Sequence, residues 1–314
     1  MILTDYFKSQ RDITWDFAKQ CGVNHGVIRL PESNDFDVTD FSHWKDVIGR
    51  FSSFGIKPIV IEPMPNDLHE HIKTGDLQRD DSIEKVIKMM RHMSNFGIDT
   101  ICFNWMAHIG WTRTSNSVPE RGGALVTDFD LKKFKNVEKK ISAKKLWENY
   151  WYFINTVIPY AEKYGIKLAL HPDDPPLERL GDVERIMINY TNIAKAVNTV
   201  KSSSLGVTMC QATYLMMGED LWEVIPKLAD KIFFIHFRNV IGTKETFRET
   251  FHDNGLIPMA EIMKLYKELG IDVPIRVDHV PLMAGETQEN AGYTALGRLY
   301  AIGYLKGIME SIRV

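Results

Sequence analysis

Eight short runs rich in β-branched and apolar residues recur along this chain, and their rhythm limits the fold more than any other feature. They are Ile2–Phe7, Gly26–Leu30, Pro58–Glu62, Thr100–Trp105, Lys167–His171, Gly206–Cys210, Phe233–Phe237 and Pro274–Asp278. Each has the length and residue type of a strand. Between most of them lie stretches with helical spacing. In Leu146–Tyr164, the residues Leu146, Tyr150, Phe153, Ile154, Val157 and Ile158 fall on one face. Gly165 follows, where a glycine in left-handed conformation closes a helix. Ile83–Phe96 with Gly97, and Met259–Leu269 with Gly270, repeat the order helix, glycine, strand.

Eight strands alternating with helices predict a parallel sheet with helices outside it. At 314 residues this is an α/β fold of the (β/α)8 TIM-barrel type, one domain spanning residues 1–314. An open doubly wound sheet is the rival. No G-x-G-x-x-G follows the first strand, which weakens that rival's commonest use. The stretch from Arg113 to Lys145 is charged and weakly periodic. It is expected to be a long loop after the fourth strand, a lid or oligomer contact over about residues 107–145.

Composition narrows the function by exclusion. A formal net charge of −3 gives no global basic field for nucleic acid or anionic lipid. Three scattered cysteines, Cys21, Cys102 and Cys210, make no disulfide framework and suit a reducing compartment. No apolar leader opens the chain and no run of about 18 uncharged apolar residues crosses it. The expectation is a cytoplasmic protein with a small-molecule partner, no nucleic acid and no membrane, its self-association open.

Active sites of such barrels lie at the C-terminal ends of the strands. The fifth run ends in His171, the sixth in Cys210, the eighth in Asp278, and His236 stands near the end of the seventh. Each could have a bland role: a hydrogen-bonded histidine, a small buried thiol, a helix-capping aspartate. Four in succession at separations of 39, 26 and 42 residues, roughly one β/α unit each, predict one divalent-metal site. Two imidazoles, a thiolate and a carboxylate suit Zn2+, and equally Mn2+, Fe2+ or Co2+. Cys21 beside a glycine and Cys102 inside an apolar strand are read as packing residues. His69 and His71, in Leu-His-Glu-His-Ile, are read as part of a solvated helix rather than as ligands.

The run Leu168-Ala169-Leu170-His171-Pro172-Asp173-Asp174-Pro175-Pro176 resembles the hallmark of mannonate dehydratases. So do Ile101-Cys102-Phe103-Asn104-Trp105-Met106, Trp111-Thr112-Arg113-Thr114, His236-Phe237-Arg238-Asn239-Val240, Phe251-His252, Arg276-Val277-Asp278-His279 and Gly292-Tyr293, in the same order. The resemblance covers nearly the whole chain. It implies a TIM barrel, loss of water from D-mannonate to give 2-keto-3-deoxy-D-gluconate, and Mn2+ held at His171, Cys210, His236 and Asp278. The chain departs from the family pattern at Thr4-Asp5-Tyr6, at His108 and Gly110, at Gln211–Leu215, and at Val277 and Val280. The expected metal shell is retained while several expected substrate contacts change.

Elimination from a sugar acid needs a base for the α-proton and an acid for the departing C3 hydroxyl. Tyr293 and His279 are the candidates; helix-start packing is the bland role for Tyr293. Arg238 and Arg276 are expected either to grip the substrate carboxylate or to stand behind Asp278 or Asp173. Asn104 and His252 are candidate hydroxyl binders. Trp111 and Arg113 are expected to close over the site or anchor its loop. Asp173 and Asp174 are expected either to orient His171 or to shape a turn. Rival functions are a metal-dependent isomerase or epimerase of a sugar or sugar acid, and a non-catalytic barrel.

Overall fold

The computed structural model describes residues 1–33 and 35–312, and the eight expected runs form its barrel. The barrel strands are Ile2–Phe7, His25–Ile28, Lys57–Ile61, Thr100–Phe103, Lys167–Leu170, Leu205–Cys210, Ile232–Phe237 and Pro274–Val277. Each pairs in parallel with the next, and the eighth closes onto the first, Ile2 opposite Pro274 and Thr4 opposite Arg276. Strand ends lie within two residues of expectation. The fourth stops at Phe103 because Trp105 turns outward, its indole N–H donating to the Leu146 carbonyl at 3.0 Å.

Side-chain alternation sorts the strands into two layers. Leu168, Leu170, Met209, Ile235, Ile275 and Val277 belong to the large core that also takes in the helices. Val27, Val60, Cys102, Ala169 and Phe234 form a separate apolar cluster, which the alternation places inside the barrel. Two residues beyond an inward position the chain points inward again. His171 follows Ala169 in this way and His236 follows Phe234, at the C-terminal mouth. Gly206 lets the sixth strand approach the seventh: a Cβ there would lie 2.2 Å from the Lys231 carbonyl oxygen.

The surrounding helices obey their sequence signals. Ala143–Tyr164 buries Leu146, Tyr150, Phe153, Ile154, Val157 and Ile158. Gly97, Gly165 and Gly270 all take positive φ, at 69°, 66° and 68°. None of the described helices is long and apolar enough to cross a membrane.

Two regions differ from expectation. The segment from Arg113 to Lys145 is not an irregular loop. Ser115–Pro119 and Leu125–Asp130 pair with Thr246–Glu249 and Val240–Gly242 in a four-stranded antiparallel sheet beside the barrel. Leu125–Asp130 buries Val126, Thr127 and Phe129, a pattern with neither a helical period nor a strand's alternation to mark it in sequence. Leu125 also bridges to Leu282, after the eighth barrel strand. Second, His69 does sit on a helix, Asn66–Thr74, but it is fully buried rather than solvated. Its ring packs edge-on against Phe103 and Trp105. Burial favours its neutral form. His71 pairs with Asp76 at 2.7 Å.

Candidate active site

The mouth of the barrel holds a cavity of about 720 Å3, within the usual range for small-ligand sites. His171, His236, Arg276, Asp278, His279 and Tyr293 line it, together with Asn104 and Trp111. Donor atoms of His171, Cys210 and His236 all lie within 4.8 Å of one another. His171 Nε2 is 3.2 Å from His236 Nδ1. Asp278 Oδ2 lies 3.6 Å from the same His236 nitrogen. Three of the four strand-end residues thus bring their donor atoms together, and Asp278 stands beside one of them, His236.

Each donor is held from behind. His171 Nδ1 is 2.6 Å from the Pro172 carbonyl, which leaves Nε2 facing the other donors. Burial pushes His171 below the usual imidazole range, toward the neutral form that binds metals. His236 turns Nδ1 to the cluster and its Nε2 toward Glu62 Oε1, 2.9 Å away. Asp278 accepts from Arg276 Nη1 at 2.7 Å. Burial alone would raise the Asp278 carboxyl, but the Arg276 guanidinium and neighbouring histidines hold it well below the usual range. The Thr213 hydroxyl donates to Cys210 Sγ at 3.1 Å.

The charges around this cluster are unbalanced in the direction a cation would correct. Three buried guanidiniums, Arg113, Arg238 and Arg276, are interleaved with four buried carboxylates, Glu62, Asp174, Glu249 and Asp278. A thiolate at Cys210 would leave two negative charges uncompensated. The donor set and this charge balance fit one divalent ion.

Glu62 is the site residue that sequence reading missed. It follows the third strand with the inward parity of the strand-end residues, two residues beyond Val60, a signal that was available. Its carboxylate accepts from Arg276 Nε at 2.8 Å and Nη2 at 2.9 Å. Burial pushes Glu62 up, but Arg276 and His236 outweigh it and keep it ionised. Glu249, on the four-stranded antiparallel sheet beside the barrel (the cap sheet), was also missed, because nothing local marks a residue whose partners come from the barrel. Cys102 lies beside this floor, Sγ 3.6 Å from Glu62 Oε1, and burial keeps its thiol protonated.

His279 and Tyr293 meet. Tyr293 Oη is 3.1 Å from His279 Nε2 and 3.5 Å from Asp278 Oδ1. His279 Nδ1 is 3.1 Å from Glu249 Oε1. Burial and the Asp278 carboxylate push the Tyr293 phenol well up, so at neutral pH it is a proton donor. His279 adopts φ 39°, a sparsely populated conformation for a side-chain-bearing residue. Trp111 covers its ring at 4.9 Å between centroids.

Other expected contacts fall elsewhere. Arg238 is fully buried and outside the cavity lining, spent on Glu249 (2.6 and 2.8 Å) and Asp174 (2.7 Å). Arg113 makes a forked pair with the same Asp174, at 2.8 and 3.0 Å, and anchors the loop from beneath. Arg276 takes the alternative expected for it, behind Asp278, although its edge reaches the cavity. His252 is buried against the Phe237 carbonyl at 2.8 Å and lies off the cavity lining. Neither aspartate orients His171. Asp173 accepts from the Ile186 and Met187 amides, and Asp174 serves the two arginines.

The sequence profile of the family described as D-mannonate dehydratase (UxuA) matches residues 2–140 and 131–314. The chain belongs to the mannonate dehydratase family. A mannonate dehydratase of Streptococcus agalactiae serotype III (strain NEM316) is 34% identical, over 84% of this chain and 84% of that protein. Mannonate dehydratase 2 of Halalkalibacterium halodurans is 32% identical over 98% of each chain. The crystal structure of mannonate dehydratase from Streptococcus suis serotype 2 superposes with a TM-score of 0.90 at 26% identity, covering 99% of this chain and 93% of that one. Family membership makes the chain a hydro-lyase acting on a sugar acid. Of the positions read in sequence as departures from the family pattern, Tyr6, His108 and Gly110 line the cavity. Gln211 instead joins the buried packing, accepting from the Tyr266 hydroxyl at 3.1 Å.

Proposed function

We propose that the protein dehydrates D-mannonate to 2-keto-3-deoxy-D-gluconate in the cytoplasm, with one divalent ion, Mn2+, held by His171, Cys210, His236 and Asp278. The convergence of these four residues at one mouth, beside the His279–Tyr293 pair, carries the reading. When bound, the ion supplies positive charge that stabilises the negative charge developing at the acid's carboxylate. Glu62 and Arg276 hold His236 and Asp278 in place from below.

The chemistry then needs one proton taken and one given. His279, with Nδ1 toward Glu249, accepts the C2 proton at Nε2. The protonated Tyr293 phenol beside it donates to the C3 hydroxyl as the C3–O bond breaks. Water leaves, C2 and C3 share a double bond, and the resulting enol becomes the 2-keto acid. Trp111 packs against His279 with its ring tilted and keeps bulk water from it.

The test is a colour assay for 2-keto-3-deoxy acids with metal-loaded protein across a panel of hexonates. D-mannonate should give the strongest signal, and excess chelator should abolish it. A chelator-insensitive signal, or strong colour from a different hexonate alone, would overturn the metal or the substrate assignment respectively.

A further inference from the structure

The proposed metal ligands end the fifth to eighth strands; in the half of the mouth built by the first four, Glu62 and Trp111 already serve the chemistry above, and the other lining residues have no role in it. In the closed order of strands the fourth stands diametrically across from the eighth. An acid held at the ligand cluster by its carboxylate end must run its remaining carbons toward that far side. There His108 lines the cavity, on the segment after the fourth strand.

His108 resembles His279 in construction. Among the described residues these two are the non-glycine positions with positive φ, 62° and 39°. Both line the cavity, and each has Nδ1 close to a glutamate, Glu70 at 3.0 Å for His108 and Glu249 at 3.1 Å for His279. A glycine would adopt the His108 backbone with less strain, so the imidazole is retained against a conformational preference.

The His108 ring is not what fastens its loop. Lys73 donates to the Met106 carbonyl at 2.7 Å. Glu70 accepts from the His108 backbone N–H at 2.8 Å. Arg185 donates to the carbonyls of Ile109 and Gly110 at 2.8 and 3.1 Å. These contacts hold Met106–Gly110 through its backbone. His108 Nε2 has no hydrogen-bond partner among the described residues, and its side chain keeps 19% of its surface exposed.

We propose that His108, oriented by Glu70, is a specificity residue that hydrogen-bonds the hydroxyls at the tail of the sugar acid, beyond the reacting C2 and C3. This rests on the sugar-acid reading above and adds the polyol tail as the feature selected. The chain would then discriminate acids by length and by tail configuration at a position where it departs from the family pattern.

Calorimetric titration of Mn2+-loaded protein with wild-type His108 and with His108→Ala, both in a Tyr293→Phe background that slows turnover, tests it. The two ligands are D-mannonate and the four-carbon aldonate with the same configuration at C2 and C3. The variant should bind D-mannonate about tenfold more weakly, the worth of one hydrogen bond to the ligand, and the four-carbon acid as wild type does. In turnover the loss should appear in KM with kcat held. His108→Asn, which tolerates left-handed backbone and keeps a donor, should recover part of it. Equal weakening of both acids would mark a role in loop structure only, and unchanged D-mannonate binding would remove the contact; either overturns the inference while leaving the dehydratase reading intact. Wild type that binds neither acid would overturn both readings.

Discussion

The two halves of the barrel mouth are built differently. The half formed by the fifth to eighth strands carries His171, Cys210, His236 and Asp278 at or just beyond the strand ends, backed by a lattice of buried arginines and carboxylates. The half formed by the first four carries its polar groups mostly on the connections after the strands: Lys8, Arg29, Lys73, Asn104 and His108. Ion pairs on the first side are almost wholly enclosed, with side chains of Arg238, Asp174 and Glu249 no more than 1% exposed. On the second, Arg29 and Glu32 pair with 36% and 51% of their side chains in solvent. A rigid, desolvated half suits metal and proton chemistry. A half on loops suits substrate selection, which varies more readily.

The largest expected effect separates the halves outright. Asp278→Ala should lose stoichiometric metal and, with it, turnover, with circular dichroism near wild type. Lys8→Ala should keep full metal by elemental analysis. Metal retained in Asp278→Ala would dissolve the distinction. Next comes Tyr293→Phe, which preserves the ring and its packing. Its turnover should fall by roughly 10²–10⁴-fold, as for a lost general acid, with metal content and thermal midpoint unchanged. A fall of less than about tenfold would move proton donation elsewhere.

The legibility of the chain in sequence follows the same division. Strand parity is local, so the barrel and the meeting of strand-end residues at one mouth could be read from spacing alone. Partners in the arginine–carboxylate lattice are far apart in sequence, 136 residues for Arg113 and Glu249, and no local pattern announces them. That is why the sequence left Arg238 and Arg113 between substrate contact and support, and only the structure places both beneath the site. The cap sheet escaped for a related reason: its four strands come from two separate connections, and each alone resembles a loop. His108 stood out in sequence only as a departure from the family pattern; its backbone conformation gave it meaning.

Glu62→Gln gives an intermediate effect. It keeps the shape of the floor but removes the charge facing His236. Metal affinity should fall by about 10–100-fold, the usual cost of losing a group behind a ligand, measured by competition with a chromophoric chelator. An unchanged affinity would show that Arg276 alone holds the floor.

Acid titration probes the lattice more gently. Burial would raise both carboxyls, but Arg238 and Arg113 depress them, Glu249 to about 2 and Asp174 further. Groups depressed in the folded state contribute stability above their unfolded values of about 4. That contribution is lost as pH falls toward 2. Buried neutral histidines such as His69 and His252 should start lowering denaturant midpoints as pH falls below the ordinary imidazole value of about 6.5, and the carboxyl contribution should steepen the decline below about pH 5. Glu249→Gln should show a shallower decline, and an identical slope would exclude Glu249 from the acid response.

The central claim is that this mouth eliminates water rather than moving a proton within the substrate. The most direct measurement follows D-mannonate with Mn2+-loaded protein by nuclear magnetic resonance. The account predicts loss of the C3 carbinol signal and appearance of a C3 methylene as 2-keto-3-deoxy-D-gluconate accumulates. A product that retains every hydroxyl, with only C2 inverted, would contradict it.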